Sequence, residues 1–418
     1  MMLIIILLYL PWLPIFVGNF GSGLVSSREA MLPYLRDMIW WMGFGRTLPF
    51  IVWAFVVLLL LIGLGFVQGG KRAIVPLICW LVPVLFILLG ATTPELFKFL
   101  VVAVPFMVLL VGLAVNQPRR ARRSQRGNWV VQGVCAVLLL LLVLPTVQSL
   151  SNLYGNPEYA RADYRGMVGR ILGENHANAG IILNAPNQWE VFTYYYADDT
   201  AVFPMPEGLR HDPPKAIDAW VQAIADEHDR IYLILWGETE WDPERRIERW
   251  LDAHAFKATD EWVKDVRFVT YAIPSSVATE METELDVPVG DEGIVLRGFT
   301  LTDTELSPSD IVEVTLFWET AVSLTSRSKI FLHLLDANGQ LVAQRDSEPG
   351  GGLALTTTWQ PNQVIIDNHG ILIPHDLPPG EYTLTVGMYD IADPETRLPI
   401  QTENGATDAL PLARIAVE

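Results

Sequence analysis

Residues 116–127 read NQPRRARRSQRG, and a long apolar run lies on either side of them. The segment contains five arginines, namely Arg119, Arg120, Arg122, Arg123 and Arg126. A basic run of this kind can bind nucleic acid. Here no aromatic residue lies between the arginines, and nucleic acid is not an expected partner. Short basic loops between membrane helices stay in the cytoplasm. We therefore interpret the segment as a topology determinant that also contacts anionic membrane lipids.

Five apolar runs surround this basic segment within the first 150 residues, at 1–17, 48–67, 73–91, 96–115 and 129–150. A helix needs about 20 mainly apolar residues to cross the hydrocarbon core. The sequence therefore predicts a multi-pass α-helical membrane region over residues 1–150, with about five helices. The first run could instead be a signal peptide, but it lacks a basic start and a small-residue cleavage site.

Charge divides the chain at the same place. Residues 1–150 hold 11 Lys/Arg and 3 Asp/Glu, a net charge of +8, whereas residues 151–418 hold 18 and 44, a net charge of −26. With the basic loops 68–72 and 116–128 inside, residues 18–47 and 92–95 lie outside. We thus expect a protein of the cytoplasmic membrane whose domains after residue 150 are extracytoplasmic.

The predicted outer segments carry cationic and aromatic side chains that suit a lipid-linked phosphate. Guanidinium groups pair bidentately with phosphate, and tryptophans pack at the membrane interface. The candidate substrate-binding residues are Arg28, Arg36, Arg46, Lys98, Trp40 and Trp41. The alternative is that they anchor the loop to lipid headgroups without binding a ligand.

Two further domains are predicted after the membrane region. In residues 151–275, short apolar runs such as RIYLILWG (230–237) alternate with helical patterns, which indicates a three-layer α/β domain with a mainly parallel sheet. Residues 285–418 contain short strands separated by turns such as DANGQ (336–340), where Asn338-Gly339 suits a two-residue primed turn. This pattern favours a β-sandwich. A boundary is expected within 275–293.

The most polar cluster in the α/β part is LNAPNQWEVFTYYY (183–196). It follows a strand, where α/β sheets bind ligands. Its candidate sugar-binding residues are Asn184, Asn187, Trp189 and Glu190. In the structural alternative, Asn187 caps the helix, Glu190 completes a capping box and Trp189 packs on the sheet.

No cofactor is indicated by the sequence. The seven histidines are scattered, so no metal site is predicted, and the need for a divalent metal stays open. Both cysteines, Cys79 and Cys135, lie in apolar runs and leave the part after residue 150 without a disulfide.

A family resemblance covers most of the chain. It rests on LLYLPWLPIF (7–16), TPELFKFLVVAVPFMVLLVGLAV (93–115), YRGMVGRIL (164–172), IILNAPNQWEVFTYYY (181–196) and WLDAHAFKATDEWVKDVRFVTYAIP (250–274). These segments resemble the C-terminal part of bacterial multi-pass glycosyltransferases of the GT-C type, the polyprenyl-phosphate-mannose-transferase-like and Rgt-like enzymes. The segments IFLHLLDANGQLVAQRDSEPGGG (330–352) and LPPGEYTLTVGMYD (377–390) resemble a β-sandwich module appended to such proteins.

The resemblance implies transfer of a sugar from a polyprenyl-phosphate donor at the outer membrane face. The family's catalytic aspartate lies in a first extracytoplasmic loop, and none of Glu29, Asp37 and Glu95, the acidic residues before position 151, sits in a matching motif. We therefore expect the C-terminal portion of such an enzyme, and a separately encoded N-terminal half is a candidate partner. The alternative is a non-catalytic, membrane-anchored scaffold that binds glycans or proteins. Whether the chain is itself an enzyme is left open.

Overall fold

The computed structural model describes residues 31–90, 94–115, 125–198, 201–403 and 405–418. The chain divides into two compact units, Met1–Ala160 and Arg161–Glu418. We call them the helical unit and the second unit. The first ends about ten residues after the predicted boundary at 150, because the last helix continues to Gly155.

The helical unit contains five described α-helices. They are α1 (Met31–Phe44), α2 (Val52–Gly69), α3 (Ile74–Gly90), α4 (Val104–Val115) and α5 (Gln125–Gly155). A 3₁₀ segment, Pro94–Val102, precedes α4. Helices α2 and α4 pack closely at Gly65. A Cβ added to this glycine would lie 1.7 Å from the carbonyl oxygen of Leu110.

The prediction of a multi-pass region with about five spanning helices is wrong. Two described helical stretches are long and apolar enough to cross a membrane, Val52–Arg72 and Gly133–Gly155. The apolar helices Ile74–Leu88 and Val104–Ala114 are shorter. At 1.5 Å per residue the second of these is roughly 17 Å long, against a hydrocarbon core of about 30 Å. The predicted run 1–17 lies outside the described residues.

Proline explains the largest discrepancy. The run 96–115 is uninterrupted in composition, but Pro105 lies in its middle. Proline lacks a backbone N–H, fits best in the first turn of a helix, and tends to kink or break a helix when it lies further inside. The run is therefore split into a 3₁₀ segment that ends at Val102 and a separate helix that begins at Val104.

The second unit begins with a five-stranded sheet in the order β2-β1-β3-β5-β4. Its strands are β1 (Ala179–Leu183), β2 (Val202–Pro204), β3 (Arg230–Trp236), β4 (Phe256–Val263) and β5 (Val266–Ala272). Strands β1, β2 and β3 are parallel, as short, fully buried apolar runs favour. Strand β5 is antiparallel to both β3 and β4, so the predicted mainly parallel sheet is mixed.

Helices cover both faces of this sheet. They are α6 (Tyr164–Glu174), α7 (Trp189–Tyr195), α8 (Pro214–Ala225), α9 (Glu238–Trp241) and α10 (Arg246–His254). Helices α6 and α7 pack on the face that contains Ile181 and Phe268, and α8 and α10 pack on the face that contains Ile182 and Leu233. Successive strand residues point to opposite faces, so each strand supplies both apolar layers.

The rest of the unit is a sandwich of two sheets. One has the order β11-β10-β13-β16-β8 and the other β12-β9-β7-β6-β14-β15. The strands are β6 (Thr283–Val289), β7 (Ile294–Leu301), β8 (Glu305–Leu306), β9 (Ile311–Thr320), β10 (Ser328–Leu335), β11 (Leu341–Ser347), β12 (Ile365–Leu372), β13 (Gly380–Asp390), β14 (Ile400–Thr402), β15 (Gly405–Thr407) and β16 (Leu410–Val417). Their inward-facing apolar residues form one core between the sheets.

Two local predictions differ from the structure of the sandwich. Part of the predicted boundary 275–293 is strand β6, which pairs with β7. The turn after β10 has a positive φ at Gly339 but not at Asn338, so it is not the predicted two-residue primed turn. Instead, the carboxylate of Asp336 accepts hydrogen bonds from the backbone N–H groups of Asn338 and Gln340.

Strand β12, at the edge of the sandwich, packs against strand β4 of the mixed sheet. A Cβ added at Gly370 would lie 3.1 Å from the backbone of Ala258, so the two strands approach closely. Phe256 and Ala258 form a small buried cluster with Ala272 and Ile311. The mixed sheet and the sandwich are thereby joined within one compact unit.

Candidate functional site

Three of the predicted substrate-binding residues surround one pocket in the helical unit. The pocket has a volume of about 470 Å³ and is lined by Trp41, Met42, Arg46, Phe97, Lys98, Leu100, Val101 and Val104. We call it the headgroup pocket. It combines apolar walls with two cationic side chains, and none of the described residues that line it is acidic.

The backbone around Arg46 is fixed by neighbouring contacts. Gly45 has a φ of +78°, a conformation that favours glycine and ends α1 sharply. The hydroxyl of Thr47 donates a hydrogen bond to the carbonyl of Ser149 at 2.7 Å, and Asn152 Nδ2 donates to the carbonyl of Thr47 at 2.8 Å. These bonds attach the loop to α5 and leave the guanidinium of Arg46 exposed.

Aromatic rings shape the pocket wall. The rings of Trp41 and Phe97 meet edge to face with centroids 4.8 Å apart. The guanidinium carbon of Arg46 lies 5.2 Å from the centroid of the Trp41 ring, and the ammonium of Lys98 lies 5.5 Å from that of Phe99. Cations over aromatic rings are attracted by the negative ring face and keep their outer donors available.

The other predicted residues of this group lie elsewhere. Trp40 is buried in the helical core, and its indole N–H donates to the carbonyl of Leu48 at 3.0 Å, so it has a structural role. Arg36 pairs with Asp37 at 2.7 Å and lies over the ring of Phe50. Arg28 lies outside the described residues, as do Arg119, Arg120, Arg122 and Arg123. Arg126 belongs to α5, but its side chain is not described.

The predicted sugar-binding cluster after β1 is occupied by structural contacts. Asn184 is fully buried; its side chain donates to the carbonyl of Trp236 at 3.1 Å and accepts from the N–H of Trp236 at 2.7 Å. It thus joins the ends of β1 and β3. Trp189 packs in the apolar layer beneath α6, and Asn187 and Glu190 are exposed.

The start of α7 is stabilised by a residue that the sequence reasoning did not name. The side-chain oxygen of Gln188 accepts from the N–H of Ala185 at 3.1 Å, and its amide donates to the hydroxyl of Tyr164. No side chain caps the N-terminus of α7, so the predicted cap at Asn187 is not formed, and Gln188 instead closes the 3₁₀ turn Pro186–Gln188 that precedes the helix. The two residues are adjacent and have similar side chains, so only burial distinguishes them.

A buried charge cluster in the second unit escaped the sequence reasoning. Glu248 on α10 contacts three cations: Lys257 Nζ at 2.8 Å, Arg267 Nη2 at 2.9 Å and Arg245 Nη2 at 2.6 Å. Lys257 also pairs with Asp252 at 2.7 Å. The cations are spread over β4, β5 and the turn before α10. Their proximity therefore depends on the antiparallel β4–β5 pair, which the sequence reasoning missed.

The cluster controls the protonation of its members. Burial would raise the pKa of Glu248, but the charges and hydrogen bonds of Lys257 and Arg267 outweigh it and lower that pKa to about 2. Burial raises the pKa of Asp252 despite the attraction of Lys257. For Arg267, Glu248 and Asp260 overcome burial and raise the pKa above its ordinary value. Glu248 is therefore ionised in the folded protein.

A serine, a histidine and an aspartate meet at the edge of the sandwich. His369 Nε2 lies 2.7 Å from a carboxylate oxygen of Asp367, and Ser347 Oγ lies 3.3 Å from His369 Nδ1. Asp367 also accepts from the N–H of Gly350 and the indole of Trp318. The carboxylate of Asp367 is shared among three donors, and Asp367 and His369 are both buried. The network fastens the glycine turn 349–352 to β12.

Among the described residues, no group of three or more His, Cys, Asp or Glu side chains is placed to hold a metal ion. Cys79 and Cys135 are both free thiols within the helical unit.

Comparison with known proteins gives little further information. No protein-family model matches the chain, and no curated protein matches it. Solved structures match about a third of the chain. The C-terminal domain of wzt shares 11% identity over 34% of this chain and 83% of its own, with a TM-score of 0.22. The CARDB domain of the PF1109 protein from Pyrococcus furiosus shares 10% identity over 32% of this chain and 97% of its own, with a TM-score of 0.19.

A third similar structure is a Niemann-Pick type C2 protein from Japanese carpenter ant. It shares 5% identity over 34% of this chain and 100% of its own, with a TM-score of 0.21. These scores are too low to support an argument about function.

Proposed function

We propose that the chain is a membrane-attached binding protein whose helical unit holds an amphiphile with an anionic headgroup. The chemical class is a polyprenyl phosphate or a sugar linked to one. The supporting observation is the headgroup pocket, where Trp41, Arg46, Phe97 and Lys98 combine apolar walls with two cations.

The pocket suits both parts of such a ligand. Arg46 offers a planar donor fork that matches phosphate oxygens, and Lys98 adds a second positive charge. Trp41 and Phe97 provide flat apolar surfaces for an isoprenoid chain. The phosphate then lies at the polar end and the chain along the apolar wall.

Exposed apolar residues support attachment of the helical unit to lipid. Apolar side chains exposed on α2 and α5 include Val52, Leu60, Val67, Val137, Leu140, Leu144 and Val147. Water-exposed apolar areas of this extent mark membrane or partner contacts. The basic segment 116–127 directly precedes α5, so it favours a cytoplasmic start for that helix and an extracytoplasmic second unit.

The proposal covers binding and not sugar transfer. A transferase needs a general base that deprotonates the acceptor hydroxyl. Asp37 is held by Arg36 at 2.7 Å and does not line the headgroup pocket. The resemblance to GT-C glycosyltransferases therefore supports a lipid-linked sugar as the ligand, while catalysis would require residues outside this pocket.

The test measures binding of radiolabelled polyprenyl phosphate to the purified full chain in detergent. We expect the double variant Arg46→Ala/Lys98→Ala to weaken binding by about tenfold or more, equivalent to about 1.4 kcal/mol. The matched control is Lys71→Ala/Arg72→Ala, which removes two exposed cations of the same unit outside the pocket. Polyprenol without phosphate should bind both variants and the unaltered chain equally weakly. Equal losses in the two double variants would contradict the proposal.

A further inference from the structure

A second cleft lies in the second unit, between strands β4 and β5 and the glycine turn 349–352. It has a volume of about 570 Å³ and is mostly polar. Its cationic lining residues are Arg245, Lys257, Arg267, Lys329 and Arg345, and its acidic ones are Glu238, Asp260, Asp346 and Glu348. We call it the anion cleft.

Most of these charges are already neutralised within the protein. Arg245, Lys257 and Arg267 are bound by Glu248 and its neighbours, as described above. The acidic residues are engaged as well. Glu238 and Asp260 pair with Arg267, Glu348 pairs with Arg327, and Asp346 accepts a hydrogen bond from the hydroxyl of Tyr389. Each of these carboxylates therefore has a partner, although Glu238, Asp260 and Glu248 share Arg267 and the partner of Asp346 is a neutral hydroxyl.

Arg345 is the exception. Its side chain is buried, with 8% of the residue exposed, and its Nε has no hydrogen-bond partner among the described residues. No described carboxylate lies within 4 Å of its guanidinium, and Asp260, Asp252 and Asp367 attract it only from farther away. Lys329, which also lines the cleft, likewise has no ion pair with a described residue. Isolated buried charges are costly, and protein structures normally supply a partner.

The burial of Arg345 does not remove its charge. Burial lowers the pKa of its guanidinium. An arginine nevertheless stays protonated at neutral pH, because its ordinary pKa lies so far above 7. The side chain therefore presents a fixed positive charge with unused donors, at the wall of a cleft that is large enough for a small molecule.

We propose that the anion cleft binds a sugar that carries an oxyanion, either a sugar acid or a sugar phosphate. The carboxylate or phosphate pairs with Arg345, and Lys329 adds a second positive charge. The exposed indole of Trp262, 66% accessible, gives the sugar ring a stacking surface at the same cleft. Carboxylates already held by arginine still have lone pairs that accept hydrogen bonds from sugar hydroxyls.

This site is independent of the headgroup pocket. It lies in the second unit, is built from other residues and needs no lipid. Failure of either proposal leaves the other unaffected.

The test uses the purified full chain and isothermal titration calorimetry with four probes: glucuronate, glucose 6-phosphate, glucose and inorganic phosphate. We expect one of the two charged sugars to bind at least tenfold more tightly than glucose and than inorganic phosphate. Preference for glucuronate identifies a carboxylate ligand, and preference for glucose 6-phosphate identifies a phosphate ligand. Arg345→Met should weaken binding of the preferred sugar at least tenfold.

Arg345→Met keeps the unbranched apolar stem of the side chain and removes a buried charge that has no ion pair, so it should melt no lower than the unaltered chain without ligand. The matched control is Arg414→Met, because the side chain of Arg414 is 81% exposed and lies outside the cleft. It should bind the sugar normally. If Arg345→Met does not fold, Trp262→Ala tests the same cleft through an exposed side chain. We expect this variant to bind the preferred sugar at least threefold more weakly. Equal binding of all four probes, or equal affinity in Arg345→Met and Arg414→Met, overturns the proposal.

Discussion

Glu248 is the residue on which the buried charge cluster of the second unit depends. Its carboxylate is the common partner of Arg245, Lys257 and Arg267. Removing one member of a buried ionic group leaves uncompensated charge, which costs more than the attraction itself contributes. All three cations would lose their shared anion, and Arg245 would keep no other ion pair with a described residue, whereas Lys257 would keep Asp252. This position should therefore be sensitive even to a small change.

We predict that Glu248→Gln destabilises the second unit by roughly 3 kcal/mol at pH 7. The folded pKa of Glu248, about 2, lies below its ordinary value of 4.5, so its contribution is present above about pH 4.5 and is lost as the pH falls through 2. The difference between the two proteins should therefore shrink between pH 5 and pH 2. Urea unfolding of residues 161–418 at several pH values measures it.

The control for this prediction is Glu381→Gln. The side chain of Glu381 is 64% exposed, and its distance to Arg414 is 3.9 Å, so this pair should contribute less than about 1 kcal/mol. If the difference between Glu248→Gln and the unaltered protein were the same at pH 7 and pH 3, the pKa of the Glu248 carboxyl would be the same in the folded and unfolded protein, and the cluster would not favour its ionised form.

Asn184 shows how a residue type can suggest two roles that only burial separates. An amide after a strand is a reasonable ligand for a sugar hydroxyl, and the sequence offers Asn184 and Asn187 equally. In the structure the first is fully buried between β1 and β3, while the second is exposed. Asn184 is buried because it bonds to Trp236 at the end of β3, about 50 residues later in the chain. No local sequence pattern shows that contact.

At the scale of elements, runs that are apolar on both faces were predictable. Strands β1 and β3 lie within the runs AGIILNA and RIYLILWG, because central parallel strands bury every side chain. Strand β4 reads FKATDEWV, and only its first three residues are buried. Its charged second half gives no strand signal, yet Asp260 from this half pairs with Arg267 on β5.

The beginning of α10 also differs from the position that the local sequence indicates. Asp242 followed by Pro243 indicates a helix start, but the helix begins at Arg246, because Arg245 has a φ of +51°. The carboxylate of Asp242 still accepts hydrogen bonds from the N–H groups of Arg246 and Ile247. The capping role of Asp242 was predictable. The residue at which the helix begins depended on the ion pair of Arg245 with Glu248.

The contact between α2 and α4 depends on one glycine, and this gives the second prediction. A Cβ at Gly65 would overlap the carbonyl of Leu110, which is backbone and cannot rotate away. Gly65→Ala should therefore separate the helices and destabilise the helical unit by about 3 kcal/mol. Thermal unfolding of the full chain in detergent, followed by size-exclusion chromatography, measures the loss.

Gly63→Ala is the matched control, two residues earlier in the same helix. Nothing lies within 4 Å of a Cβ added there, and alanine is the better helix former by about 1 kcal/mol. This variant should be as stable as the unaltered chain or more so. Equal loss in both variants would mean that the helix, and not its contact with α4, is sensitive.

At the scale of the molecule, composition did not predict the number of spanning helices. Net charge and hydropathy both change near residue 150, and the compact units divide at residues 160 and 161. Counting apolar residues overstated the spans, because composition does not show where a helix is interrupted. Both described sites also join residues far apart in sequence, such as Arg46 with Lys98 and Arg267 with Arg345.

The last prediction concerns the second unit as a whole. Strands β4 and β12 meet where Gly370 lets the backbones approach, and Phe256 and Ile311 bury a shared cluster beside them. Residues 161–418 should therefore unfold in one cooperative transition, and reductant should not change it, since both cysteines precede residue 161.

Gly370→Ala should lower the melting temperature by about 4 °C or more, whereas Gly380→Ala, with its nearest neighbour 3.9 Å away, should change it little. Circular dichroism melting measures all three proteins. Two separate transitions in the unaltered segment would show instead that the mixed sheet and the sandwich fold independently and that the anion cleft between them is not a rigid site.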